Sequence, residues 1–426
     1  MANDLNSNVT QKVAKIFLKE FQSARVASKA VTTDLITPQF TPDFGEQVRF
    51  KRPHQYRAIK TPGGDISAST KNAIISGSAP ADVQEYITVP IDWTNREEAL
   101  ELNQLQEIIR PAALECATKM DNDLTRFMVH NSGLHYGTPG TAISKWSDVA
   151  GPGSIMEAIG VPQGDRMYMM NPFAAQDLAD TQSGLASGDN NLVNTAWREA
   201  QISRNFGGLK AMMANSLVGI QLGALAGSSG TVSATPNGTY LTHKDSMIQT
   251  ITLTGLTVST TDALRPGDTI EITQANRARL NLKTREVVFD SSGPLKWTYK
   301  VVTGGDTDGA GTVTITVTSA AINETDGQYQ NIENPITAGD TFTILGTANA
   351  TVQPNLFFHK QAFGLGTIKL PKLHTWDTVI TSADGISIRV TKYADGDKNE
   401  QSIRFDLLPI HSVLNPQFAG TGFGVP

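Results

Sequence analysis

Apolar side chains at Val9, Val13, Ile16, Phe17 and Phe21, with Lys12, Lys15 and Lys19 between them, recur at the spacing of an amphipathic helix over residues 8–29. Two readings stand for this helix. It is a surface helix of the nearest domain, or an arm that docks on a partner chain, because Thr37-Pro38 and Thr41-Pro42 break the chain behind it. The period then changes to two: Gln47-Val48-Arg49-Phe50-Lys51-Arg52 and Tyr86-Ile87-Thr88-Val89-Pro90-Ile91 alternate as strands. Residues 53–85 between them are dominated by Gly, Ser, Ala and Pro, a loop long enough to be functional or mobile, and they read as a long outward hairpin. Its first side is basic, with Arg49, Lys51, Arg52, Arg57 and Lys60; this is either an edge defended by charge or a contact for a partner.

Thr94-Asn95-Arg96-Glu97 has the form of a capping box and predicts a helix with Leu100, Leu105, Ile108 and Ile109 on one side. Pro111 is expected to open a second, longer helix to about His130, because a first-turn proline gives up an N–H that has no acceptor there. Leu114, Ala117, Met120, Leu124 and Phe127 are its expected buried face, and Cys116 is a small core residue. Further on, strands are predicted at 166–170 and 208–214, and helices from Asn171-Pro172 onward and over 191–199. From about Gly227 to Ala350, Ser, Gly and Thr dominate and strict alternation appears at 248–253 and 312–317. The turn Gly267-Asp268 entering Thr269-Ile270-Glu271-Ile272 is echoed by Gly339-Asp340 entering Thr341-Phe342-Thr343-Ile344. Short strands between turn clusters predict a small sandwich or barrel. Mixed character resumes at Phe357, with strands at 387–393 and 401–408, so the β segment reads as an insertion into a split α+β domain.

The length of 426 residues gives a prior of about three domains. A net charge of −6 argues against a protein that wraps nucleic acid by neutralising phosphates, and one cysteine excludes an internal disulfide. The apolar stretch 211–227 carries Asn215, Ser216 and Gln221 and is not expected to span a membrane. Catalytic signatures are missing: there is no G-x-x-x-x-G-K-[ST], H-E-x-x-H or G-x-S-x-G, and no histidine pair at i, i+4. Asp395-Gly396-Asp397-Lys398-Asn399 with Asp406 approaches a calcium loop but has Glu400 where glycine is needed, so a hairpin turn is expected; Asp306-Thr307-Asp308-Gly309 is likewise a turn. No catalytic, cofactor-binding or metal-binding residue is assigned, and no cofactor.

Several longer words point further: Phe50-Lys51-Arg52-Pro53-His54-Gln55, Thr61-Pro62-Gly63-Gly64-Asp65-Ile66-Ser67, Lys145-Trp146-Ser147-Asp148-Val149-Ala150, Pro354-Asn355-Leu356-Phe357, Lys392-Tyr393-Ala394-Asp395-Gly396-Asp397 and Arg404-Phe405-Asp406-Leu407-Leu408-Pro409. In these the chain resembles the major capsid (coat) proteins of short-tailed dsDNA enterobacterial phages of the Salmonella and Shigella podovirus kind. The resemblance runs over nearly the whole chain and is weakest in wording within the β segment.

That resemblance implies the Hong Kong 97-type capsid fold, α+β, with an inserted small β-barrel. It implies an N-terminal arm over 1–45, an extended loop over 46–92, and a peripheral domain with a spine helix over 93–133. An axial domain would follow over 134–226, the barrel over 227–351, and the remainder of the axial and peripheral domains over 352–426. It further implies a homo-oligomer of pentamers and hexamers in an icosahedral shell, built with a scaffolding protein and a portal protein in the host cytoplasm. The shell would enclose dsDNA without sequence-specific binding and without a membrane. Candidate contacts between copies are Arg49, Lys51, Arg52, Arg57 and Lys60 on one side and Glu97, Glu98 and Glu101 on the other. A bacterial nanocompartment shell protein of the same fold and a β-rich adhesin are the rival readings. Lys60 and Lys71 are read as ordinary surface lysines rather than cross-linking residues.

Overall fold

The computed structural model describes residues 6–33, 47–94 except 68 and 70, 105–183, and 205–425 except 376, 383 and 396–399. The chain divides into two compact units, one of Met1–Phe50, Pro80–Thr125 and Phe363–Val413, the other of Lys51–Ala79, Arg126–Ala362 and Leu414–Pro426.

In the first unit, helix Asn6–Ala24 buries Val13, Ala14, Phe17 and Phe21 and exposes Lys12, Lys15 and Lys19. Phe17 stacks on Phe405 with ring centroids 4.1 Å apart, so this face of the helix packs on the sheet of its own unit. The strand carrying Phe405, Glu400–Leu407, lies between Ser387–Asp395 and Ile87–Thr94 in a four-stranded antiparallel sheet completed by Thr378–Thr381. Asp395 and Glu400 face each other across the expected hairpin. Asp406 is fully buried, and Arg389, Arg404 and Thr88 all donate to it. Burial raises its pKa, but those donors outweigh burial and leave it below the usual carboxylate value. Val26, Ala27 and Ser28 donate their backbone N–H groups to buried Asp121 at 2.7, 3.0 and 3.1 Å, which anchors the short helix Ala27–Ala30.

Two expectations are corrected in this unit. The neighbour of strand Gln47–Lys51 is not the 86–91 segment, which belongs to the sheet above, but Ser78–Val83, continued by Pro409–Val413 and Phe363–Thr367. Ser78–Val83 reads as loop because it contains Ser, Ala and Pro; its strand character comes from packing, with Ala81 buried against Phe50 and Ile410. Pro111 does not open the long helix, which runs unbroken from Leu105 to His130. Pro111 and Glu107, whose carbonyl loses its i+4 donor, are both exposed, so water replaces the missing bond. The buried stripe is Ile109, Ala112, Ala113, Cys116, Ala117, Met120, Leu124, Met128 and Val129, while Leu114 is 54% exposed and Phe127 half-buried. The stretch 95–104, with the second half of the capping box, and the helix expected over 191–199 lie outside the described residues.

The second unit holds a six-stranded mixed sheet in the order Leu134–Tyr136, Ala419–Gly422, Asn355–His359, Arg166–Met170, Leu209–Met213, Asn205–Phe206. Helix Pro172–Ser183 starts as its Asn-Pro entry predicts, with Asn171 Oδ1 accepting from Phe173 N at 2.9 Å. Between Ser229 and Ile344, six strands close a barrel in the order Ile248–Thr254, Val313–Thr318, Thr298–Thr303, Thr269–Ile272, Thr341–Ile344, Ser229–Val232. Ile251, Leu253, Ile270, Ile272, Val301, Ile315, Val317, Phe342 and Ile344 are all buried. On the exposed face hydroxyls pair across strands, as at Thr252–Thr314, 3.1 Å, and Ser229–Thr343, 3.0 Å. The repeated Gly-Asp word has one structural meaning. Gly267 and Gly339 take φ of +97° and +91°, and each following carboxylate is buried and closes the turn, Asp268 accepting from Arg265 N and Asp340 from Thr337 N. The strands they launch pair antiparallel.

Candidate interaction surface

Among the described residues no group of three or more His, Cys, Asp or Glu is placed to hold a metal ion. The Cys116 thiol is fully buried and burial pushes its pKa up to about 12, so it is no nucleophile at neutral pH. No described helix is long and apolar enough to cross a membrane. The surface able to do something specific is the segment Lys51–Ala79, which belongs to the same unit as the barrel.

Its two limbs meet at the base through Arg52 N donating to Gly77 O, 2.9 Å. Higher up, Asn72 does the work of a strand pair: Arg57 N donates to its Oδ1 at 3.1 Å and its Nδ2 donates to Arg57 O at 2.8 Å. Beyond that bridge the chain turns through Pro62–Gly64, with Gly63 and Gly64 at positive φ and Asp65 accepting from Ser67 N. Ile59 and Ile66 are exposed beyond the bridge, and Tyr56 and Ile74 are exposed on its root side, Ile74 by 79%.

The basic residues of this side divide into two groups. Arg49, Lys51 and Lys60 are exposed, with no ion pair among the described residues. Arg52 is buried; its Nε donates to Ser78 O at 2.9 Å, a second donor reaches Leu414 O, and burial lowers its pKa to about 10. Arg57 is half-buried and pairs with Asp326 at 2.8 Å. Arg52 and Arg57 therefore serve their own chain, a role that alternation alone does not separate from display to a partner. Glu97, Glu98 and Glu101 lie outside the described residues. The described acids on the exposed face of the long helix are Glu107 and Glu115, beside exposed Ile108 and Leu114.

Comparison with known proteins gives concordant matches. A family model described as P22 coat protein, gene protein 5, matches residues 1–424. The major capsid protein of Acyrthosiphon pisum secondary endosymbiont phage 1 is 42% identical over 427 residues, covering 100% of both chains. Among solved structures, one of Mycobacterium phage Che8 matches with a TM-score of 0.44 at 13% identity, over 93% of this chain and 90% of that one. The capsid of cyanophage P-SCSP1u matches with a TM-score of 0.43 at 10% identity, over 93% and 86%.

Proposed function

This chain belongs to the P22 coat protein family and is a phage major capsid protein, and from that premise we propose how its copies meet. The tip of segment Lys51–Ala79 reaches onto a neighbouring copy, burying Tyr56, Ile59, Ile66 and Ile74, while Arg49, Lys51 and Lys60 face acids there. The receiving surface is the exposed face of the long helix, with Ile108 and Leu114 beside Glu107 and Glu115; Glu97, Glu98 and Glu101 are further candidate acids. The observation that carries this reading is the exposure of four large apolar side chains, Tyr56, Ile59, Ile66 and Ile74, on one short segment braced by Asn72. Exposed ion pairs are each worth about 0–1 kcal/mol, so the apolar tip supplies affinity and the charges supply register.

The finer parts of the reading rest on the family resemblance. They are the Hong Kong 97-type arrangement of arm, extended loop, spine helix, axial domain and inserted barrel, and assembly of pentamers and hexamers around a scaffolding protein with a portal. Enclosure of dsDNA without sequence readout, in the host cytoplasm, belongs with them. A phage family leaves no ground for the nanocompartment reading.

The test is the double substitution Ile59→Asp with Ile66→Asp, and separately Arg49, Lys51 and Lys60 to Glu. Soluble, folded subunits that form no shells by electron microscopy are expected from the first, and slowed, salt-sensitive assembly from the second. Normal particles from both would overturn the proposal.

A further inference from the structure

Three of the barrel's connections, 233–247, 273–297 and 319–340, reach the segment Lys51–Ala79. From the first, Lys244 O accepts from Ser78 N at 3.1 Å and Asp245 Oδ1 from Ser78 Oγ at 2.7 Å. The approach is so close that a Cβ on Gly77 would lie 2.7 Å from both Lys244 O and Tyr240 Oη. From the second, Arg285 donates to Gln55 Oε1 at 2.8 Å while its other donors hold the carbonyls of Gln328 and Gln330. From the third, Asp326 pairs with Arg57, Gln328 donates to Ala73 O at 2.7 Å, and Tyr329 Oη donates to Ile75 O at 3.2 Å. Tyr329 also stacks on Tyr240, ring centroids 3.6 Å apart and planes within 7°, and the pair joins Met247 and Ile322 in an apolar cluster onto which Ile75 packs.

Each connection puts a non-glycine residue in the left-handed region at this contact: Met247 at φ +60°, Arg285 at +60° and Asp326 at +61°. Such conformations are unfavourable for Met247 and Arg285 and ordinary for an aspartate such as Asp326. Ser259 at +48° and Asp262 at +50° do the same in the connection 255–268, so these conformations are a feature of the barrel's turns, and the cradle rests on its contacts alone.

We infer that these connections are a cradle that aims the loop, with Tyr329, Tyr240 and Arg285 as positioning residues for the contact between copies. The inference rests on the proposed role of the tip. The cradle grips both limbs, Gln55 and Arg57 on one and Ala73, Ile75 and Ser78 on the other. The loop is thereby held at its root. Ordering the root before association removes part of the entropy that would otherwise oppose docking.

The experiment uses the full-length subunit. Trypsin can cut after Lys60 and Lys71, which lie beyond the cradle. Tyr329→Ala removes the stack and the Oη donor, Tyr329→Phe removes the donor alone, and Gly77→Val pushes the limb off Lys244 and Tyr240 by a separate route. Expected for Tyr329→Ala and Gly77→Val is cleavage faster by about tenfold or more, with the barrel's melt retained and with few or misshapen shells; Tyr329→Phe lies between them and the unsubstituted chain. Should Tyr329→Ala fail to fold, Gly77→Val and Tyr329→Phe decide. Unchanged cleavage and normal shells in the folded variants would overturn the cradle. The tip substitutions Ile59→Asp and Ile66→Asp separate the two ideas: if they stop assembly while cradle variants assemble normally, the contact stands and the cradle falls. If tip variants assemble normally, the contact falls, and the cleavage rates still judge the cradle.

Discussion

The barrel and the segment Lys51–Ala79 draw on similar small and polar residues, yet one is regular from within and the other from without. In the barrel, alternation in strands such as Ile248–Thr254 and Val313–Thr318 sends Ile, Leu and Val inward and Thr252 and Thr314 outward, and closure gives each strand a partner on both sides. The segment has no alternation, buries little, and takes its shape from side-chain bridges such as Asn72 and from the barrel's connections. A closed sheet can therefore carry an irregular neighbour, and the apolar residues the neighbour does not bury remain available to another copy.

The sharpest way to break this comparison is to damage the barrel and watch the loop. Phe342 is wholly buried inside the barrel, and Phe342→Ala should cost about 3–5 kcal/mol by cavity formation. Tryptic cleavage after Lys60 and Lys71 should rise with it, and a loop that stays protected in the destabilised chain would contradict the dependence. A smaller effect comes from pH. Buried Lys300 donates to Thr269 Oγ1 at 2.7 Å and Thr421 Oγ1 at 2.9 Å, and burial, against the pull of Asp268, lowers its pKa to about 7. The unfolded chain keeps that proton to about pH 10, so between about pH 7 and pH 10 the unfolded state binds more protons and stability rises with pH. Melting temperature should climb across that window and Lys300→Met should flatten the climb; an equal slope in both would show that another group is responsible.

Smaller still is Arg57→Gln. Its partner Asp326 is 68% exposed at the side chain, so the loss should stay within about 1 kcal/mol by denaturant titration. A larger loss would mean that the cradle is held by charge rather than by the Tyr240–Tyr329 stack. Least of all on stability is Ile74→Ala, expected within about 0.5 kcal/mol because the side chain sits in water. Any marked change in melting would show that Ile74 already packs on its own chain.

The same contrast explains what could be read from residues alone. The Gly-Asp echo, the alternation at 248–253 and 312–317, and the Asn171-Pro172 helix entry are local signals, and each appears where expected. Ser78–Val83 was hidden because Ala81 gains its strand character from Phe50 and Ile410, which are distant in sequence. Asp121 capping Ala27–Ala30 and Tyr329 stacking on Tyr240 likewise join residues that no short window contains. Pro111 misled for a different reason: proline is costly in a helix on average, but at an exposed position water can take the freed carbonyl. In the loop, basic alternation showed where charge lies, while burial divided Arg52 and Arg57 from Arg49, Lys51 and Lys60.

The most direct test of the account is an electron cryomicroscopy reconstruction of the assembled shell at side-chain resolution, traced through residues 52–77. The account predicts the limbs on the connections of their own barrel, with Ile59, Ile66 and Ile74 buried on the long helix of a second copy. A tip standing in solvent, or folded back onto its own copy, would contradict it.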